Sequence, residues 1–64
     1  NMDRTNIDLP SLSKEIVNAR AARQMSLVRL ASLSGVSKLT IVNIEQGRTK
    51  PKPKTIEKLL RVLN

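Results

Sequence analysis

Apolar residues recur along this chain at helical spacing, in stretches separated by Gly, Ser and Pro, and none of them alternates as a strand would. In the first stretch Leu12, Ile16, Ala19 and Arg23 fall on one helix face, with Arg20 at its edge. This predicts a helix over about Ser11 to Arg23, with Ser11 as N-cap and Pro10 stiffening the approach. Its interior, ARAAR, is rich in strong helix formers. Gln24 and Met25 interrupt the pattern, and Ser26 can cap a brief second helix over about Leu27 to Leu33. There the core pair is Leu30 with Ala31, and Ser34 stands behind them.

Gly35 comes where a helix C-terminus favours a left-handed residue, which glycine supplies without a Cβ clash. Val36 re-enters the core, and Ser37 caps a third helix, about Lys38 to Gln46, which Gly47 stops by the same logic. On that helix Ile41 and Ile44 share a face; Leu39, Asn43 and Gln46 lie opposite, with Val42 to one flank. The loop RTKPKP follows, basic at every second position, and a last helix runs from about Pro53 to Leu63, where proline suits the first turn. Ile56, Leu59, Leu60 and Leu63 form its apolar stripe. Residues 1–10 have no period, carry mixed charge and close on a proline. The expected organisation is a partly flexible N-terminal arm over 1–10 and one all-helical domain over 11–64.

Composition narrows the chemistry. With 64 residues and no aromatic side chain, the core must be aliphatic and the stability margin thin. The absence of Cys removes disulfides, thiolate metal sites and thiol nucleophiles; the absence of His removes the commonest general base and metal ligand. No cofactor or metal is expected. No apolar run is long enough to span a bilayer and no signal-peptide pattern opens the chain, so a cytoplasmic setting without a membrane is expected.

The net charge of +7 is unevenly placed: residues 1–46 carry six basic and four acidic side chains, residues 47–64 six basic and one acidic. Such a basic end on a compact domain suits a polyanionic partner, although a solvated, solubility-promoting face would look the same.

Two short helices joined by a tight turn with glycine make a helix-turn-helix pattern. Ala31 supplies the small side chain at the close approach, Gly35 takes the turn, and Ile41 and Ile44 hold the second helix of the pair to the body. The segment 12–64 resembles the lambda-repressor-like domain of the Cro/CI (Xre) family. The matching residues are Ile16, Arg20, Met25-Ser26, Leu30-Ala31, Gly35-Val36-Ser37, Ile41, Ile44-Glu45, Gly47, Pro51, Thr55-Ile56, Leu59 and Leu63. The resemblance implies a bundle of four or five helices whose third helix lies in the DNA major groove, usually as two copies on a two-fold-symmetric site. It also implies a structural ion pair between Arg20 and Glu45, and the helical wheel agrees, since each lies near the edge of its helix's apolar face.

This sequence departs from the family pattern in three places. Leu27 stands where Gln often touches the phosphate backbone, Lys52 replaces the usual Ser cap of the last helix, and the sequence stops at Asn64 without the fifth helix of many members.

The residues expected at DNA bases are Ser37, Lys38, Leu39, Val42 and Asn43; those expected on the phosphate backbone are Ser26, Gln46, Arg48, Thr49, Lys50 and Lys52. Leu27, Val28, Leu33, Leu39 and Val42 are apolar at positions expected to be partly exposed, Leu39 and Val42 suiting thymine methyl groups and the others a protein contact or simple surface tolerance. Of the five acids, Asp3 and Asp8 lie in the arm and Glu45 is committed to Arg20, and a Ser–Lys pair needs a cleft that so small a helical domain rarely offers, so an enzyme is not expected. The reading is a sequence-specific regulator of double-stranded DNA, a repressor acting as a homodimer at least on DNA, at a pseudo-palindromic operator. The alternative is an antitoxin or other protein-interaction module on the same fold, with a toxin or effector domain as its protein partner.

Overall fold

The structure is a computed structural model that describes residues 9–64, with side chains from Ser11 onward. Four helices follow in order: α1 Leu9–Ala22, α2 Leu27–Ser34, α3 Lys38–Glu45 and α4 Pro53–Leu63. Among the described residues there is no strand. Most of the arm expected over residues 1–10 lies outside the described residues.

α1 begins two residues earlier than its apolar pattern suggests. Pro10 falls in the first turn, where its missing N–H has no intrahelical acceptor to lose, so Ser11 is inside the helix and not its cap. The far end closes through two backbone bonds, Met25 N to Arg20 O at 3.0 Å and Gln24 N to Ala21 O at 2.9 Å. That pattern requires a left-handed residue between them, and Gln24 takes it with φ +52°. Arg23 therefore lies beyond the helix, exposed, its guanidinium donating to the Ala19 carbonyl at 3.3 Å; the expectation that it continues the apolar face is corrected.

Each of the next two helices opens on a serine cap, Ser26 Oγ accepting from Arg29 N at 3.0 Å and Ser37 Oγ from Thr40 N at 3.1 Å. Between them Gly35, at φ +76°, donates its N–H to the Ala31 carbonyl at 3.0 Å and turns the chain. α2 and α3 meet at 117°, within the range of a helix-turn-helix pair. α3 ends one residue short of expectation, with Gln46 as C-cap and Gly47 left-handed at φ +72°. α4 has Pro53 in its first turn but no side-chain cap, because Lys52 occupies the N-cap position.

α1 packs on α3 and α4, and α2 packs on the same two helices. Every helix contributes to one aliphatic core: Leu12 and Ile16, then Leu30, then Ile41 and Ile44, then Leu59 and Leu63, with Val36 entering from the turn. Each fully buried Leu or Ile is worth about 1.5–3 kcal/mol against exposure. Leu27, expected to be partly exposed, is half-buried and packs against the core from the first position of α2. One assignment changes. On α4 Val62 joins the core's edge while Leu60 stays outside the cluster, half-buried.

Candidate nucleic-acid interface

α3 turns Ile41 and Ile44 inward, which leaves Lys38 and Leu39 outward; Leu39 is 70% exposed. Val42 and Asn43 are half-buried on the same short helix, and among the described residues the Asn43 carboxamide takes no hydrogen-bond partner. Leu39 and Asn43 are neighbours one turn apart. Ser37, at the leading end, is exposed but already engaged: its hydroxyl donates to Thr40 Oγ1 at 2.8 Å while accepting from the Thr40 amide. Its remaining capacity is as an acceptor.

The chain leaves α3 through a turn in which Gly47 N reaches the Ile44 carbonyl at 3.0 Å and Arg48 N the Asn43 carbonyl at 2.9 Å. Gln46, Arg48, Thr49, Lys50 and Lys52 are all exposed along this exit. Ser26 stands apart from them in sequence, exposed at the start of α2 with its oxygen used as a cap.

Electrostatics favour an anion here because the local carboxylate is removed. Between Ser37 and Lys52 the only acid is Glu45. Arg20 takes it in a two-bond fork, Nε to Oε2 at 2.8 Å and Nη2 to Oε1 at 3.0 Å, and the third nitrogen donates to the Met25 carbonyl at 2.8 Å. The hydrogen bond to Glu45 raises the Arg20 pKa above its ordinary value, against an opposing effect of burial. With Glu45 so paired, the exposed charges from Lys38 to Lys52 are all positive.

Two residues of this architecture escape the apolar periodicity. Gln24 adopts a left-handed conformation that nothing in its side chain announces. Ser13 is buried at 8% exposure and donates to the Ile44 carbonyl at 2.6 Å; its only sequence signal is its place at i, i+3, i+7 with Ile16 and Arg20. Of the apolar residues expected at the surface, Val28 (62%) and Leu33 (47%) are exposed along with Leu39. Among the described residues no group of three metal-ligating side chains converges, and no single helix is long and apolar enough to cross a membrane.

Residues 16–64 match the family model described as helix-turn-helix. Over 51 residues, 78% of this chain and 37% of the relative, the sequence is 45% identical to a Bacillus subtilis protein named as an uncharacterized HTH-type transcriptional regulator, RghRB. Over 53 residues, 83% of this chain and 54% of the relative, it is 40% identical to a Haemophilus influenzae protein also named as an uncharacterized HTH-type transcriptional regulator. The chain thus spans about half the length, or less, of these curated relatives. No solved structure matches it at the same level of significance.

Proposed function

This chain belongs to the helix-turn-helix family of Cro/CI type, and from that premise we propose that it is the DNA-binding domain of a transcriptional regulator. The observation that carries the reading is α3: an exposed face of Lys38 and Leu39 with the unengaged Asn43 amide, free of carboxylates and followed at once by cations. α3 enters the major groove by its leading end. Asn43 pairs with adenine, Lys38 reaches guanine or a phosphate, and Leu39 and Val42 meet thymine methyl groups. Ser37, whose donor is taken, assists only as an acceptor. Arg48, Lys50 and Lys52 grip the phosphates, with Ser26, Gln46 and Thr49 as neutral contacts.

The regulator acts as a repressor, two copies occupying a pseudo-palindromic operator with half-sites about one helical turn apart. Selection of bound sequences from a random duplex pool tests this directly, returning the preferred bases and the half-site spacing together. Recovery of no consensus sequence would refute sequence-specific binding.

A second reading has one observation in its favour. Val28 and Leu33 expose apolar surface on α2, away from any role in base contact. They suit a protein partner, as in an antitoxin that uses this fold and also binds its own promoter. A toxin-like reading frame beside the gene favours that reading; a lone operator palindrome favours the first.

A further inference from the structure

Ser13 is the one buried polar side chain among the described residues. A mid-helix serine usually turns its hydroxyl back onto the preceding turn. Ser13 instead crosses to α3 and donates to the Ile44 carbonyl at 2.6 Å. That carbonyl lies in the last turn of α3, and the amide four residues on, Arg48 N, goes to the Asn43 carbonyl instead, so no regular helical bond closes on it. It also accepts the Gly47 N–H at 3.0 Å, so the bend that ends α3 is held from two sides. A Cβ on Gly47 would stand 3.7 Å from Ser13 Oγ, an ordinary contact that shows how closely α1 lies against this bend.

We infer that Ser13 is a positioning residue for DNA: by holding the Ile44 carbonyl it fixes the path of the chain leaving α3, and so the placement of Arg48, Thr49 and Lys50 on the phosphates. The inference rests on the DNA-binding reading above. Arg20 cannot do this alone. It reaches α3 through a long side chain and grips another side chain, Glu45, whereas Ser13 grips backbone through one short arm. The two grips are seven residues apart on α1, about 10 Å along its axis, and together they fix the end of α3 in position and in rotation. The leading half of α3, with Lys38 and Leu39, is set separately by the Ser37 cap and the buried Ile41.

The test compares the parent with Ser13→Ala at a temperature where both are fully folded. Alanine removes only the hydroxyl. Amide exchange at Gly47 and Arg48 should quicken about fivefold more than at Leu59 and Leu60, inside α4, whose amides stand for global opening. Binding to the best selected duplex should weaken about five- to tenfold, with the slope of log affinity against log salt smaller by about one unit and the preferred bases unchanged. A merely structural role would quicken exchange at Gly47, Arg48, Leu59 and Leu60 by one common factor and leave the salt slope alone. If the alanine variant is too unstable to bind, Ser13→Cys keeps the volume with a weaker donor, and the same shifts are expected at smaller size. An unchanged slope in a variant whose parent binds overturns the inference; a parent without salt-dependent duplex binding overturns the DNA reading and the inference with it.

Discussion

Arg20 and Glu45, 25 residues apart, bind each other through two parallel hydrogen bonds and thereby pin the last turn of α1 to the last turn of α3. Both side chains are largely withdrawn from water, at 21% and 10% exposure. Because the same guanidinium also holds the Met25 carbonyl, the pair orders the turn that leads into α2.

Glu45→Ala should therefore cost about 3–5 kcal/mol, since it leaves a partly buried cation with only a carbonyl for company. That is a large share of the stability of so small a domain. Urea denaturation reads it as a lower midpoint; an unchanged midpoint would show that the fork does not hold the helices. Replacing both residues by leucine should be nearly neutral by comparison. The Arg20 pKa is raised, so its contribution is complete below the ordinary arginine pKa and would be lost only as pH rose through the still higher folded value. No loss from this source is expected between pH 7 and about 10.

Two of the three left-handed residues among those described, Gly35 and Gln24, should respond to substitution in opposite directions. Gly35→Val finds open space around the new Cβ, so its cost comes from the positive φ alone, about 1–2 kcal/mol or somewhat more for a β-branched residue. Gln24→Gly removes a strain of about 1–2 kcal/mol at the price of about 0.5–1 kcal/mol of extra unfolded-state freedom. It should raise the melting temperature slightly. A lower melting temperature for Gln24→Gly would mean that the glutamine side chain contributes something that its backbone conformation does not reveal.

Those two positions also mark the reach of sequence reading. Gly35 is legible because glycine announces a left-handed turn between two apolar runs, and Ile41 and Ile44 are legible because their spacing admits one inward face. Gln24 is not, because a polar residue in the same conformation carries no such mark. Arg23 misled for a related reason: periodicity extends a helix past the point where backbone bonds have already closed it. Leu60 lies outside the core cluster although the stripe places it inside, and Val62 joins the core's edge, because a wheel gives angle within one helix and says nothing of how neighbouring helices tilt. The exposed side of α3 was readable as mixed, short and uncharged by acid; Ser13 was not, since its partner is a backbone carbonyl that no side-chain pattern records.

Lys52→Ser should separate stability from binding. α4 begins with no side-chain cap and no acid in its first turn, while Lys52 and Lys54 place positive charge at the positive end of its dipole. Serine supplies the missing acceptor and relieves the charge, which should stabilise the domain by about 1 kcal/mol. The same change should weaken duplex binding and lower the salt slope by about one unit. A stabilised variant that binds with the parent's slope would remove Lys52 from the phosphate set.

Association without DNA should be weak. Val28 and Leu33 are five positions apart on α2, about 140° around the helix, so they do not merge into one apolar patch of the kind a stable dimer buries. Sedimentation of the free chain should show monomer, or a dimer that dissociates on dilution, with pairing on the duplex. A tight free dimer would contradict this and make Val28→Ser and Leu33→Ser the variants to examine first.

Asn43 and Lys50 should lose binding in different ways. Asn43 sits half-buried on α3 with a free carboxamide, the group that matches the edge of adenine through two hydrogen bonds. Asn43→Ala should cost about 1–3 kcal/mol on the best site and relax the choice of base at one position per half-site. Lys50 is exposed in the exit loop and offers a charge. Lys50→Ala should weaken every duplex alike and reduce the salt slope by about one unit, leaving the selected sequence intact. The contrast matters more than either loss, because reduced folding would depress both kinds of binding together and change no base preference. If Asn43→Ala and Lys38→Ala both return the parent's selected sequence, α3 does not read bases, and the major-groove assignment fails with it.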